Sequence, residues 1–408
     1  MKFVDIGLNE HLLEAISYMG FEKATEIQQQ AIPEILKGRD LLATAQTGTG
    51  KTASFVLPVL NEITEKHHPG ICTLIIVPTR ELALQIDQQI QAFSYFTPAT
   101  SMAIYGGGDG DDWKQQKKAL IEGTEIIIAT PGKLLSHLNM GLKKFKNLKH
   151  LILDEADRML DMGFYEDITK IISYLPSERQ NLMFSATMPH KIRDFANGIL
   201  KNPHVINIKM SKPAEGVLQA AYLCFENQKT KLLRGLIKDK PDFESILIFS
   251  STRRKVSEIT RALKGENYNV EAISSDLEQS EREQVLLRFK ARKTRVLVAT
   301  DVLSRGIDIK GINLIFNYDV PGNAEDYVHR IGRTARADTT GVAITFVNPD
   351  DMYKFAQIER LIEREVPKVP LPPELGEAPE WKTNNRNSGN KGNYKGKRNF
   401  KGNNKRRK

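Results

Sequence analysis

Apolar residues in this chain recur in short, almost unbroken runs, each followed by a stretch with helical spacing. Leu41–Ala45, Thr73–Val77, Met102–Tyr105, Glu125–Ala129, His150–Leu153 and Asn181–Phe184 make a first series. Ser245–Phe249, Val270–Ile273, Arg295–Ala299, Asn313–Asn317 and Val342–Val347 make a second. Runs that are apolar throughout and alternate with helices predict parallel sheets covered on both faces. The two series part at Met210-Ser211-Lys212-Pro213-Ala214-Glu215-Gly216, a proline and small-residue stretch suited to a hinge. The pattern predicts an α/β chain of two doubly wound domains, 1–208 and 218–365, joined by a linker at 209–217. Residues 366–408 turn proline-rich and then low-complexity, and are expected to form a disordered basic tail.

A length of 408 residues fits two or three domains of roughly 100–200 residues each. No apolar run approaches the roughly 18–20 residues that cross a bilayer. Met1-Lys2-Phe3-Val4-Asp5 puts an acid where a secretory leader would need its apolar stretch. The only cysteines, Cys72 and Cys224, lie far apart inside apolar runs, which argues against a disulfide framework and for a reducing cytoplasm. The net charge of +9 is unevenly spread. Of the 59 Lys and Arg, eleven fall in 382–408 beside no acid, leaving 48 against 50 Asp and Glu elsewhere. Tyr394 and Phe400 are the only aromatics in that segment, so it cannot bury a core and should seek a polyanion.

Candidate chemistry begins where the first run enters Ala45-Gln46-Thr47-Gly48-Thr49-Gly50-Lys51-Thr52 and a helical pattern follows. A strand, a glycine turn and a helix start aim backbone N–H groups and a positive dipole end at an anion. In that setting Lys51 would reach the β- and γ-phosphates of a nucleotide, and the Thr52 hydroxyl would coordinate Mg²⁺. The general pattern has glycine where Ala45 stands. A second run, Leu151-Ile152-Leu153, leads directly into Asp154-Glu155-Ala156-Asp157. Asp154 can hold Mg²⁺, usually through its waters, and Glu155 is placed to orient or deprotonate an attacking water. Alone, an acidic pair after a strand is commonly a solvated loop; beside a Gly-Lys-Thr loop it reads as half of a nucleotide hydrolase.

With both elements present, the chain resembles the DEAD-box ATP-dependent RNA helicases over about residues 3–345, with the motifs in the family's order. The resemblance implies two tandem RecA-like domains. Gly20-Phe21, Thr25 and Ile27-Gln28, with the isolated aromatic Phe3, are similar to the family's adenine-reading motif, which implies that Gln28 bonds the adenine and Phe3 stacks on it. Read without the family, Phe3 and Phe21 would be core residues and Gln28 a surface one. Pro78-Thr79-Arg80-Glu81-Leu82, Gly107-Gly108 and Thr130-Pro131-Gly132-Lys133 are similar to the family's RNA-binding motifs. Lys133 stands where the family often has arginine, keeping charge but losing a bidentate grip. Asp109–Trp113 reads as surface loop, and Ser185-Ala186-Thr187 resembles the motif coupling nucleotide state to RNA work.

In the second half, Ser250, Gln279, Arg282 and Thr300 match positions that touch RNA in the family. Asp308, in Ser304-Arg305-Gly306-Ile307-Asp308, is implied to lie near the ATP ribose. Arg330, Arg333 and Arg336 have a spacing that would line one helical face. The resemblance makes Arg333 and Arg336 arginine fingers acting across the cleft. Ser274-Ser275 before Asp276 departs from the His-Gly of many members, as Ser304 departs from alanine. The basic tail resembles those of bacterial members acting in ribosome assembly or RNA decay, the RhlE-like group in particular. The expected activity is RNA-stimulated ATP hydrolysis with local duplex unwinding. An RNA clamp, a tail-driven annealing protein and a DNA helicase of the same superfamily are the other classes that fit these residues.

Overall fold

The computed structural model describes residues 1–46, 48–66, 69–107, 110–141, 145–208, 216–238, 240, 242–274, 277–300, 311–334 and 341–382. Its strands are β1 (Leu41–Thr44), β2 (Thr73–Ile76), β3 (Ser101–Ile104), β4 (Ile126–Ala129), β5 (His150–Leu153), β6 (Gln180–Ser185) and β7 (His204–Asn207). The second half contributes β8 (Val217–Leu223), β9 (Ile246–Phe249), β10 (Val270–Ile273), β11 (Val296–Ala299), β12 (Leu314–Asn317), β13 (Gly341–Val347) and β14 (Lys368–Val369). Each of the eleven expected runs overlaps a strand. The expectation of two parallel, doubly wound sheets is met.

The first sheet runs β3-β4-β2-β5-β6-β1-β7 and the second β10-β11-β9-β12-β13-β8-β14, all pairs parallel. Adding seven to each strand number of the first order gives the second, so both halves share one topology. Inside the sheets, residues alternate between two cores. Ile126 and Ile128 of β4 join the cluster on one face, and Ile127 and Ala129 the cluster on the other. That is the period-two consequence of strands buried on both sides.

Strand order fixes where function can reside, because ligands of such sheets gather beyond the strands' carboxyl ends. The sequence β5-β6-β1 sets the loops starting at Asp154, Ala186 and Ala45 side by side. The sequence β3-β4-β2 does the same for those starting at Tyr105, Thr130 and Val77.

Part of the segment expected as tail is built into the second half. Val366 is buried, Lys368 and Val369 pair with β8, and Trp381 meets Phe355 edge-on at 6.2 Å. Gln228 Nε2 donates to the carbonyls of Leu375 and Glu377, fastening this stretch to the helix Glu226–Ile237. The apolar Val366, Leu371, Leu375 and Trp381, spaced between prolines, provide the anchorage. Residues 383–408, most of the linker, Ser275-Asp276 and Ser304–Asp308 lie outside the described residues. Among the described residues no helix is long and apolar enough to cross a membrane.

Candidate active site

The phosphate loop leaves β1 through Ala45 and Gln46 and re-enters structure at the helix Lys51–Glu65. Gly48 and Gly50 have φ of 87° and 91°, a left-handed backbone that suits glycine. At Gly50 a second constraint applies: a Cβ there would lie 2.5 Å from Gln28 Nε2. Gln28 itself is buried, its Oε1 accepting from Thr25 N at 2.9 Å and its Nε2 donating to the Gly50 carbonyl at 3.2 Å. The adenine-motif residue is thus braced against the phosphate loop. Thr49 Oγ1 closes the loop on the Gln46 carbonyl at 2.7 Å, Thr52 is half-buried, and Thr47 lies outside the described residues.

Lys51 is 6 % exposed, and its Nζ has no hydrogen-bond partner. A buried, unpaired ammonium is costly unless an anion completes it. Asp154 and Glu155 follow β5, both almost wholly buried, and Glu155 Oε2 also lacks a partner. Burial raises both carboxyls above their usual range, and the Lys51 charge offsets this only in part. Two crowded carboxyls beside one ammonium make a donor set that fits a hard divalent cation. Glu155 has φ 51° and ψ 49°, a left-handed conformation uncommon outside glycine, and it precedes the short helix Ala156–Asp161. Two residues on, Asp157 Oδ2 accepts from both the backbone N and the Oγ1 of Thr187 at 3.0 Å, while Ser185 Oγ donates to the Thr187 carbonyl. Hydrogen bonds therefore tie the loops beyond the adjoining strands β5 and β6 to each other.

Phe3 is placed differently from the expectation. It lies in a short 3-10 turn, 4 % exposed, within the apolar cluster containing Ile6 and Leu8, so stacking on a base would require uncovering it. Phe21 is 45 % exposed.

At the other end of the edge, Thr79 caps the helix Arg80–Phe93 by accepting from Leu82 N. Arg80 donates to the Gly107 carbonyl at 3.1 Å, stacks over the Tyr105 ring at 4.2 Å, and reaches Glu283 of the second half at 2.7 Å. Thr130 precedes the helix Pro131–Asn139, whose Pro131 stands in the first turn, with Gly132 exposed and Lys133 half-buried. Gly108 lies outside the described residues. The segment read as surface loop instead enters the helix Gly110–Glu122, and Trp113 stacks on His137 at 4.1 Å with Lys133 Nζ 4.4 Å from its ring centre. No local pattern signals this contact, because His137 is 24 residues away.

In the second half, Thr300 directly follows β11 as Thr130 follows β4, and Gln279 and Arg282 belong to the helix Gln279–Lys290. Ser250, expected to face RNA, is wholly buried and donates to Asp319 Oδ2 at 2.9 Å. Asp319 also takes Lys229 at 2.9 Å and Lys255 at 2.7 Å, and Ser251 through backbone and hydroxyl. The arginine spacing is corrected too. The helix Ala324–Ile331 ends at its cap Gly332, so Arg330 and Arg333 do not share a face of one continuous helix. Arg330 is fully buried, donating to Asn317 Oδ1 and the Asp319 carbonyl, whereas Arg333 sits half-buried in the turn beyond. Asp308 and Arg336 lie outside the described residues.

Comparison with known proteins agrees with this arrangement. Residues 25–195 match the family model described as DEAD/DEAH box helicase, and 228–338 the helicase conserved C-terminal domain. The ATP-dependent RNA helicase CshA of Listeria monocytogenes is 41 % identical over 372 residues, 91 % of this chain and 71 % of that protein. Among solved structures, S. cerevisiae Dbp5 bound to RNA and ADP BeF3 aligns with a TM-score of 0.80 at 31 % identity, covering 90 % of this chain and 95 % of that one. Mss116p bound to ssRNA and AMP-PNP gives 0.79 at 28 %, covering 90 % and 78 %. With two sheets of one topology, a phosphate loop and an acidic pair at the ends of the two strands that flank β6, and a relative of this identity over this length, the chain belongs to the DEAD-box family of ATP-dependent RNA helicases.

Proposed function

We propose that RNA and ATP together draw the two domains, divided at 209–217, into a closed state in which ATP is hydrolysed and a short RNA duplex is locally separated. The observation that carries this reading is the split of one sheet edge. Loops beyond β5-β6-β1 hold the buried Lys51, Asp154 and Glu155, and loops beyond β3-β4-β2 hold Thr79, Arg80, Thr130 and Lys133.

Within this reading the backbone of Gln46 to Gly50 and Lys51 cradle the phosphates, and Gln28 turns part of its carboxamide to the adenine. Thr52 and Asp154 would hold Mg²⁺; among the described residues no group of three or more His, Cys, Asp or Glu is arranged to bind a metal alone. When bound, the ion supplies charge neutralisation on the phosphates. Glu155 orients the attacking water and accepts its proton, Arg333 and Arg336 stabilise the transferring phosphoryl group, and Asp308 meets the ribose. Asp157 with Ser185 and Thr187 transmits the nucleotide state along the edge. Thr79, Arg80, Gly107, Gly108, Thr130, Pro131, Gly132, Lys133, Gln279, Arg282 and Thr300 follow the RNA backbone, which reads no bases. Ser250 contributes by fixing its loop through Asp319. Work on ribosomal precursors or RNA decay, and the RhlE-like grouping, rest on the composition of the tail, and the cytoplasm on the two isolated cysteines.

The test is ATPase with and without RNA, paired with unwinding of a short duplex. Glu155→Gln should bind ATP and RNA yet neither hydrolyse nor release, and Lys51→Ala should lose ATP binding or hydrolysis. ATPase indifferent to RNA would remove the coupling, and wild-type turnover in Glu155→Gln would remove the base.

A further inference from the structure

Two helices leave the neighbouring strands β3 and β4, and a side chain of one meets a side chain of the other. Trp113, in Gly110–Glu122, lies flat on His137 of Pro131–Asn139, with ring centres 4.1 Å apart and planes 12° from parallel. Lys133 stands four residues before His137, so the same helix face offers its ammonium to the indole, 4.4 Å from the ring centre. Among the described residues no carboxylate pairs with Lys133. His137 is wholly buried, and burial together with the Lys133 charge lowers it to about 4, so a neutral imidazole supports the indole.

The contact extends backwards. His137 Nε2 lies 3.4 Å from Gln116 Oε1, Gln116 Nε2 donates to the Tyr105 carbonyl at 3.3 Å, and Arg80 stacks on the Tyr105 ring. An unbroken series therefore links Arg80 to Lys133 through the helix that carries Trp113.

We propose that Trp113 is a positioning residue for RNA binding: its indole face holds the Lys133 ammonium at the phosphate-facing edge without neutralising it. This role presupposes the RNA-binding reading of Lys133. A lysine is a flexible point charge that loses rotamer freedom when it grips a phosphate. A carboxylate partner would restrict it at the cost of its charge, whereas an aromatic face attracts the cation and leaves the charge available. Trp113 thus supplies the order that a planar arginine would bring at position 133.

The experiment titrates RNA-stimulated ATPase of the full chain with single-stranded oligouridine, comparing wild type, Trp113→Leu, Trp113→Phe, Lys133→Met and the Trp113→Leu/Lys133→Met pair. Trp113→Leu should raise the RNA concentration for half-maximal rate about two- to fivefold, with the maximal rate within about twofold. Trp113→Phe, which keeps a ring face, should recover most of that loss. The double variant should be no worse than Lys133→Met alone. The chain has only one other tryptophan, Trp381, so Trp381→Phe isolates the Trp113 emission, which should change on RNA addition and lose that response when Lys133→Met is added. An additive double variant, or a Trp113→Leu chain with unchanged half-saturation while Lys133→Met is impaired, would overturn the proposal. A Trp113→Leu chain that loses maximal rate and thermal stability together would reduce Trp113 to packing, and also overturn it. An unimpaired Lys133→Met would instead strike the RNA-binding reading of Lys133 itself.

Discussion

Arg80, at the start of a first-domain helix, places its guanidinium 2.7 Å from a carboxylate oxygen of Glu283 in the second domain. The same guanidinium is held by the Gly107 carbonyl and the Tyr105 ring, so contacts within its own domain also orient the arginine. The pair joins the two halves next to the helix turn that carries Arg282.

This contact should favour the closed state modestly, since both side chains keep some solvent exposure. Pairs of this kind contribute about 0.2–1 kcal/mol. Glu283→Gln should raise the RNA half-saturation of the ATPase by roughly 1.5- to fivefold, and Glu283→Lys should raise it further. Fluorescence transfer between dyes on the two domains should report a smaller closed fraction. An unchanged closed fraction in Glu283→Lys would refute the role.

Arg330 and Arg333 should separate by the kind of damage they cause. Loss of Arg330 removes a buried cation that donates two hydrogen bonds, to Asn317 and the Asp319 carbonyl, so Arg330→Ala should destabilise the second domain by about 3–6 kcal/mol. Arg333→Ala should leave the melting curve almost unchanged and slow hydrolysis by about 10³-fold, the scale of a missing arginine finger. Thermal denaturation beside single-turnover hydrolysis distinguishes them, and a folded, slow Arg330→Ala would reverse the assignment.

Asp319 should govern acid stability. Burial alone would raise its carboxyl, but the Lys229 and Lys255 ammoniums outweigh that and hold it well below the usual range. A depressed carboxyl stabilises fully above its unfolded value of about 3.9 and loses that contribution as pH falls through the folded value. Asp319→Asn should therefore cost stability near the low end of about 3–5 kcal/mol at neutral pH, because Glu226 still pairs with both lysines. The gap from wild type should stay level between pH 8 and 5 and narrow below about pH 4. Urea denaturation across that range checks both the size and the sign.

The basic segment can be tested without disturbing the fold if the chain is cut after Lys382, which follows the anchored Trp381 and donates to Met352 Sδ. RNA affinity should fall most at low salt. The slope of log affinity against log salt should flatten by about 0.7–0.9 for each phosphate that the shortened chain no longer neutralises. Maximal ATPase at saturating RNA should stay within about twofold of wild type; its collapse would place the segment in catalysis.

Strands whose residues are apolar on both faces announced themselves, and so did the phosphate loop and the acidic pair, because each is written in consecutive residues. β7 has one buried residue and β14 only two residues in all, too little for a periodic signal. β8 alternates buried and exposed positions over part of its length, unlike the fully apolar runs that mark the central strands. Asp319 and its lysines lie 90 and 64 residues apart, so their meeting depends on the sheet rather than on any local cue. The arginine spacing fails for a simpler reason: the helix stops at Gly332, so its face does not reach Arg333.

Gly50 and Gln28 stand 22 residues apart, yet the amide of one occupies the space in which the other would carry a side chain. Any residue but glycine at position 50 would have to displace the Gln28 amide and also hold a backbone at φ 91°. Exchanging the glutamine would clear that space and still leave the glycine bound by its left-handed backbone, so the dependence runs one way: position 28 can be relieved of its neighbour, position 50 cannot.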